Sequence, residues 1–306
     1  MAIPESRERL GESLDLAQRY HADGQFDQAI EVYTQILAQL PGQVPILVQR
    51  GMALQEAGDL DGALADYNRA LALDPNYGPA YYGRAWSRGK QQDYAGELAD
   101  AERGLALDPD NAGMYYGRRG HALHGLRDFQ AALNDFSRAL ELDPGDDGVR
   151  YYRALCYEAM GDLAKALGDL DGALARDPGW GAALVARARV RLAGGDARGA
   201  HGDLTSAIEQ YPELAEAWFE RGRLFERIKA YDEADADYAR AGTLDARYAR
   251  TRRSGVGGQF ACGGAVVVEE VRVVGKAMPR GACGRPVVET LGWRLPAVAA
   301  KPACAG

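Results

Sequence analysis

The chain has 306 residues, of which 47% are apolar and 26% charged, and a formal net charge of −8. This is the composition of an ordinary soluble protein, long enough for one large or two ordinary domains. The charge is uneven: residues 252–306 carry +5 and the other 251 residues carry −13, an acidic body that excludes a general nucleic-acid surface.

The opening "MAIPESRERLGESLDL" is charged and lacks a continuous apolar core, so it does not read as a secretion signal. No later run has the length of a transmembrane helix. A cytoplasmic location and no membrane partner are therefore expected. Residues 1–9 read as an N-terminal extension.

From Leu10 onward the chain is periodic. Pro41, Pro75, Pro109, Pro144, Pro178 and Pro212 follow one another at steps of 34, 34, 35, 34 and 34 residues, and a further step of 34 lands on Ala246 in the degraded copy "LDARY". Such a period marks a repeat architecture. Units begin at Leu10, Val44, Gly78, Gly113, Asp147, Gly181 and Ala215, so seven of them fill residues 10–248 of a repeat region that we bound at 251. Each unit predicts two amphipathic helices. The first has apolar spacing i, i+3, i+4, as in Ala80, Tyr81 and Ala85. A polar turn follows ("AGDL", "QQDY", "LRDF"), then a second helix of the form "AL.DY..AL.LDP". Proline after each second helix removes a backbone donor and stops it. Small residues recur where helices must approach, as at Gly51, Ala63 and Ala70 in the second unit and Gly120, Ala132 and Ala139 in the fourth.

The third unit departs from this pattern. Glu97, Ala101 and Gly104 stand where the others place small, bulky and small residues, which predicts looser packing there. The extra residue between Pro109 and Pro144 is cheapest in the loop "DPDNAG", where it spares both helices.

Six units keep an aspartate on the second helix: Asp66, Asp100, Asp135, Asp169, Asp203 and Asp237. Sixteen residues before each stands an arginine, from Arg50 and Arg84 to Arg187 and Arg221; in the first unit both slots change together, to Leu16 and Val32. Matched replacement implies contact between the slots, by a guanidinium fork suited to a carboxylate. Six copies with an apolar substitute in the first make the pairs structural rather than ligand-binding.

From Arg252 the period vanishes. The last 55 residues hold ten Gly, ten Val and nine Ala but no Asp, Asn, Ile, His or Tyr. "AVVVEEVRVV" and "RPVVETLGWRL" each suit a strand, but an isolated two-stranded ribbon is marginal. The composition suits a GC-rich gene read out of frame, in place of the polar capping helix a solenoid needs. A poorly ordered tail is expected, with exposed valines and cysteines that favour aggregation. The four cysteines, Cys156, Cys262, Cys283 and Cys304, form no CxxC and are read as free thiols rather than zinc ligands.

The stretch "YYRALCYEAMGDLAKALGDLDGALARDP" carries a small–aromatic–small–proline pattern at Ala154, Tyr157, Ala166, Ala173 and Pro178. In this it resembles the tetratricopeptide repeat family, over about four-fifths of the chain. The resemblance implies an all-α, right-handed α-solenoid whose first helices line a concave groove for a peptide or partner protein. In the family's groove slots stand Met52, then Tyr82 and Trp86, then Arg118, His121 and His124, then Tyr151 and Tyr152, then Arg189, and last Phe219 and Arg223. Rings would take apolar side chains and arginines would take carboxylates. Tyr82 and Tyr151 serve equally well as packing between units. Family members that grip the acidic tails of heat-shock chaperones use lysines and asparagines at set slots. Here those slots hold Leu14, Gln18 and Val48, or Tyr82, Trp86 and Gly117, so that partner is disfavoured. His121 and His124 share a helix face at metal-like spacing, but no third ligand lies nearby, so they read as groove polar residues. No phosphate-cradling glycine loop, GxSxG or HExxH occurs; neither cofactor nor catalysis is expected. The function expected is a scaffold or adaptor, with a regulatory or substrate-recruiting arm of a larger enzyme system as the alternative.

Overall fold

The computed structural model describes residues 3–249, with side chains from Leu10. The expectations for the tail from Arg252 lie outside the described residues. Within them the chain is all-α, with fourteen α-helices and no strand. The first helices of the units are α1 (Ile3–Ala22), α3 (Val44–Glu56), α5 (Gly78–Lys90), α7 (Ala112–Gly125), α9 (Asp147–Met160), α11 (Gly181–Ala193) and α13 (Ala215–Arg227). The second helices are α2 (Phe26–Gln39), α4 (Leu60–Leu73), α6 (Tyr94–Leu107), α8 (Phe129–Leu142), α10 (Leu163–Arg176), α12 (Ala197–Gln210) and α14 (Tyr231–Leu244). The extra residue between Pro109 and Pro144 is taken up at a single 3-10 turn, Pro109–Asn111, just before the fourth unit, and both flanking helices stay whole.

The polar turn inside each unit has a local cause. One residue sits at positive φ: Gly24, Gly58, Gly161 and Gly195 supply it in four units, while Gln92, Arg127 and Lys229 adopt it in the others. The next residue begins the second helix. In the middle units it is aspartate, whose side chain accepts from a backbone N–H three residues on: Asp59 from Gly62, Asp93 from Gly96, Asp128 from Ala131, Asp162 from Lys165 and Asp196 from Gly199. A left-handed residue and an N-cap together reverse the chain in the least length. The first and seventh units have Gln25 and Ala230 there, without a side-chain cap.

Each helix packs on the next, and the successive first helices α3, α5, α7, α9, α11 and α13 also touch one another, whereas no two successive second helices make a comparable contact. A row of closely spaced first helices backed by a splayed row of second helices is a solenoid that bends towards its first helices. This is the face on which the groove residues were expected.

Glycine and ring exchange volume across the core. Tyr67 of α4 lies against both Gly51 and Gly83, Phe136 against Gly120 and Tyr238 against Gly222, so that a methyl group at any of these glycines would overlap a ring. The six aspartates are buried, and each is held by its own unit's arginine through two bonds, such as Arg119 Nε and Nη2 donating to Asp135 at 2.6 and 2.7 Å. The same guanidinium often reaches the preceding unit too. Arg50 donates to Thr34, Arg84 to Asn68, Arg153 to Ser137 and Arg187 to Asp171. The charge pairs are thus stitches across three helices.

The expected looseness of the third unit is not found. Glu97, Ala101 and Gly104 are all buried. The face of Gly104 is covered by the Tyr115 ring from the next unit, whose hydroxyl donates to Asp108 at 3.3 Å. Glu97 fits because Gly89 on α5 leaves it room: a Cβ on Gly89 would come within 2.6 Å of the carboxylate. The volume missing from one slot is supplied by a neighbour.

Candidate functional site

The densest group of predicted groove residues lies where the third, fourth and fifth units meet. Its base is Glu97, 0% exposed, which α6 inserts between α5 and α7. His121 Nδ1 sits 2.9 Å from both carboxylate oxygens and Arg118 Nη1 3.6 Å from one of them. An imidazole and a guanidinium from α7 therefore hold one buried carboxylate, an arrangement that sequence spacing alone did not reveal. Asp146, the N-cap of α9, faces Arg118; burial pushes its carboxyl above the usual range, against the lowering effect of its Val149 N–H bond and of Arg118.

Rings surround this base. Tyr152 meets His121 edge-on at 4.8 Å and His124 at 6.1 Å, and stacks with Phe136 at 6.3 Å. Tyr94 approaches His121 at 6.1 Å. Tyr151 touches Tyr152 at 5.3 Å and Trp180 at 5.0 Å. Burial pushes the Tyr151 hydroxyl up to about 12, so it is a neutral group at any ordinary pH. Burial also lowers the His124 imidazole, and its neighbours His121 and Arg127 act in the same direction.

The remaining predicted residues fall outside this cluster. Met52, on α3, packs half-buried against the core of the first units. Tyr82 meets the buried Tyr115 edge-on at 6.0 Å, and so spends part of its surface on packing between units. Trp86, one turn along α5, carries the Lys90 ammonium over its ring at 4.8 Å. Arg189 spans three units: its guanidinium donates to both Glu158 oxygens at 3.0 Å and to Glu216 at 2.6 Å. Burial works to lower it, but the Glu158 bonds and the nearby carboxylates prevail and raise it. Arg223 donates to Glu220 at 3.0 Å, and Phe219 lies among Tyr238 and Tyr248.

Besides Glu158, which stands in a groove slot with Tyr151 and Tyr152, the carboxylates Glu97, Glu216 and Glu220 enter the site, and sequence reasoning left these three out of it. Each engages an arginine of the predicted groove, so Arg118, Arg189 and Arg223 are already matched by charge. A signal for Glu97 was present in the chain: Gly89 is the only glycine at its position among the seven first helices, in the same unit as the only carboxylate in the small slot of the second helix.

Family models of the tetratricopeptide repeat match residues 20–83, 123–190 and 185–248, more than half of the chain. No curated protein matches it. Solved structures similar to it include a tetratricopeptide repeat protein from Parabacteroides merdae, at 18% identity and TM-score 0.61, over 78% of this chain and 94% of that one. The Cut9–Hcn1 APC/C hetero-tetramer matches at 13% identity and TM-score 0.68 over 75% of this chain and 45% of that one. PilF of Pseudomonas aeruginosa matches at 16% and 0.56 over 66% and 92%. At these identities the likeness is one of fold. Among the described residues no helix is long and apolar enough to cross a membrane.

Proposed function

Because the chain belongs to the tetratricopeptide repeat family, we propose that it is a non-catalytic scaffold that binds an extended segment of a partner protein along the face formed by its first helices. The observation that carries this reading is the half-exposed row of Trp86, His121, His124, Tyr151 and Tyr152 across adjoining first helices. Large rings on a rigid support supply contact area at small entropic cost. The arginines contribute less than their number suggests. Arg118, Arg189 and Arg223 each share a carboxylate of this chain, so a strongly acidic segment would meet a face already near neutrality. The segment that fits is extended, apolar or aromatic, and of low net charge, and its binding depends weakly on salt. Acidic chaperone tails do not suit it.

A photo-crosslinking amino acid placed singly at Trp86 or His124 should trap a partner in the producing cells, whereas the same residue at Glu102 or Arg138, exposed on the second helices, should not. Equal adducts from both faces, or adducts from the second helices alone, would remove the groove from the proposal.

A further inference from the structure

Resting on the groove reading, we infer that Glu216 is a specificity-determining residue: it occupies Arg189 from within the chain and so bars acidic partner segments from the C-terminal half of the groove. Glu216 stands in a slot that runs from Gly11 to Ala182 through the six earlier units without one charged residue. No rule of the repeat calls for a carboxylate there. In the seventh unit it accepts from Arg189 Nη1 at 2.6 Å, while Nε and Nη2 of the same guanidinium donate to the two Glu158 oxygens at 3.0 Å.

The position of this group puts it in a partner's path. Helix α11 has α9 on one side, α13 on the other, and α10 and α12 behind it. A side chain of α11 that reaches both Glu158 on α9 and Glu216 on α13 therefore crosses the front of the row, on the face that the second helices leave open. Glu158 and Arg189 each keep 25% of their side chains exposed and Glu216 keeps 37%. A guanidinium has five N–H bonds, and three are spent here. A partner carboxylate at the other two would share the guanidinium with Glu158 and Glu216, and would meet the charge of Glu220 one turn along α13. Such crowding of like charges rejects an acidic segment. Of the two carboxylates on Arg189, Glu216 controls entry. Glu158 fixes the guanidinium by a two-bond fork, whereas Glu216 makes a single bond from the first turn of α13 and is the more exposed. Without Glu216, Arg189 stays held by Glu158 and its Nη1 is free for an incoming carboxylate.

A displayed random twelve-residue peptide library is selected on the full chain and on its Glu216→Ala variant, alanine being the residue of the sixth unit in this slot. The wild type should enrich segments without Asp or Glu, and the variant segments that carry one. An acidic peptide so enriched should bind the variant about ten- to a hundredfold more tightly than the wild type, the range for a hydrogen bond to a charged group. Adding Arg189→Leu to the variant should abolish that gain. The same charge preference from both proteins overturns the inference, as does an acidic peptide that binds both alike. A lower thermal midpoint of Glu216→Ala with no change in the peptides chosen marks Glu216 as a stitch between units, and overturns it too. Hydrogen exchange of the full chain locates the bound peptide. Protection of α9, α11 and α13 keeps the groove reading where the inference fails, whereas protection of α10 and α12 alone, or a library without binders, overturns both.

Discussion

Arg119→Leu leaves the Asp135 carboxylate, 5% exposed, without the two bonds of 2.6 and 2.7 Å that hold it. Removing one partner of a buried pair costs roughly 3–5 kcal/mol. Arg119 keeps 28% of its side chain exposed, which admits water to the site and places the cost near the lower end, about 3 kcal/mol. Adding Asp135→Val removes the stranded charge and should return about 2 kcal/mol of that loss. The guanidinium also lies 5.4 Å over the Tyr116 ring, but that contact is lost in the single and the double variant alike and cancels between them. Urea unfolding of the four proteins of the cycle, followed by circular dichroism with the slopes compared, measures the coupling. Constant slopes matter because a repeat stack can unfold in parts. If Arg119→Leu and the double variant unfold at the same urea concentration, the pair is not a stabilising contact and the account of the matched slots fails.

Glycines in the same helical conformation should respond oppositely to alanine. Gly83→Ala pushes a methyl group into the wedged Tyr67 ring and should cost about 1–3 kcal/mol, whereas Gly202→Ala, with open space around it, should gain about 1 kcal/mol; thermal unfolding separates the two. Lys229→Gly relieves a side chain held at φ 67° and should stabilise by about 1 kcal/mol in the same assay, and an unchanged midpoint would count against strain at that turn. The His124 imidazole is lowered from its ordinary 6.5 by burial, so the unfolded chain takes up the proton first as pH falls. Its contribution to stability is complete above about 6.5 and is lost progressively below it. Acidification from about pH 7.5 to 5.5 should therefore lower the midpoint of the wild type more than that of His124→Phe, and parallel decreases would refute the burial argument.

Much of the architecture could be read from the chain because a repeat states its rules several times. A proline every 34 residues, the arginine and aspartate sixteen apart, and the joint change to Leu16 and Val32 each separate rule from accident by repetition. Helix number, helix order and the pairing of the charged slots follow from that redundancy. Contacts that occur once have no such redundancy. Glu97 broke the pattern and was read as a packing fault, but whether an unusual residue leaves a void or fills one depends on Gly89, Tyr115 and His121, which are brought to it only by stacking. The groove arginines show the same limit. Their slots are set by period, but their carboxylates come from other helices at other spacings, as Glu158 and Glu216 do for Arg189. Local period determines which side chains face inwards along a helix. Only the tertiary stack decides which charges meet there, because electrostatic and steric matching act through space between units that the sequence keeps some thirty residues apart.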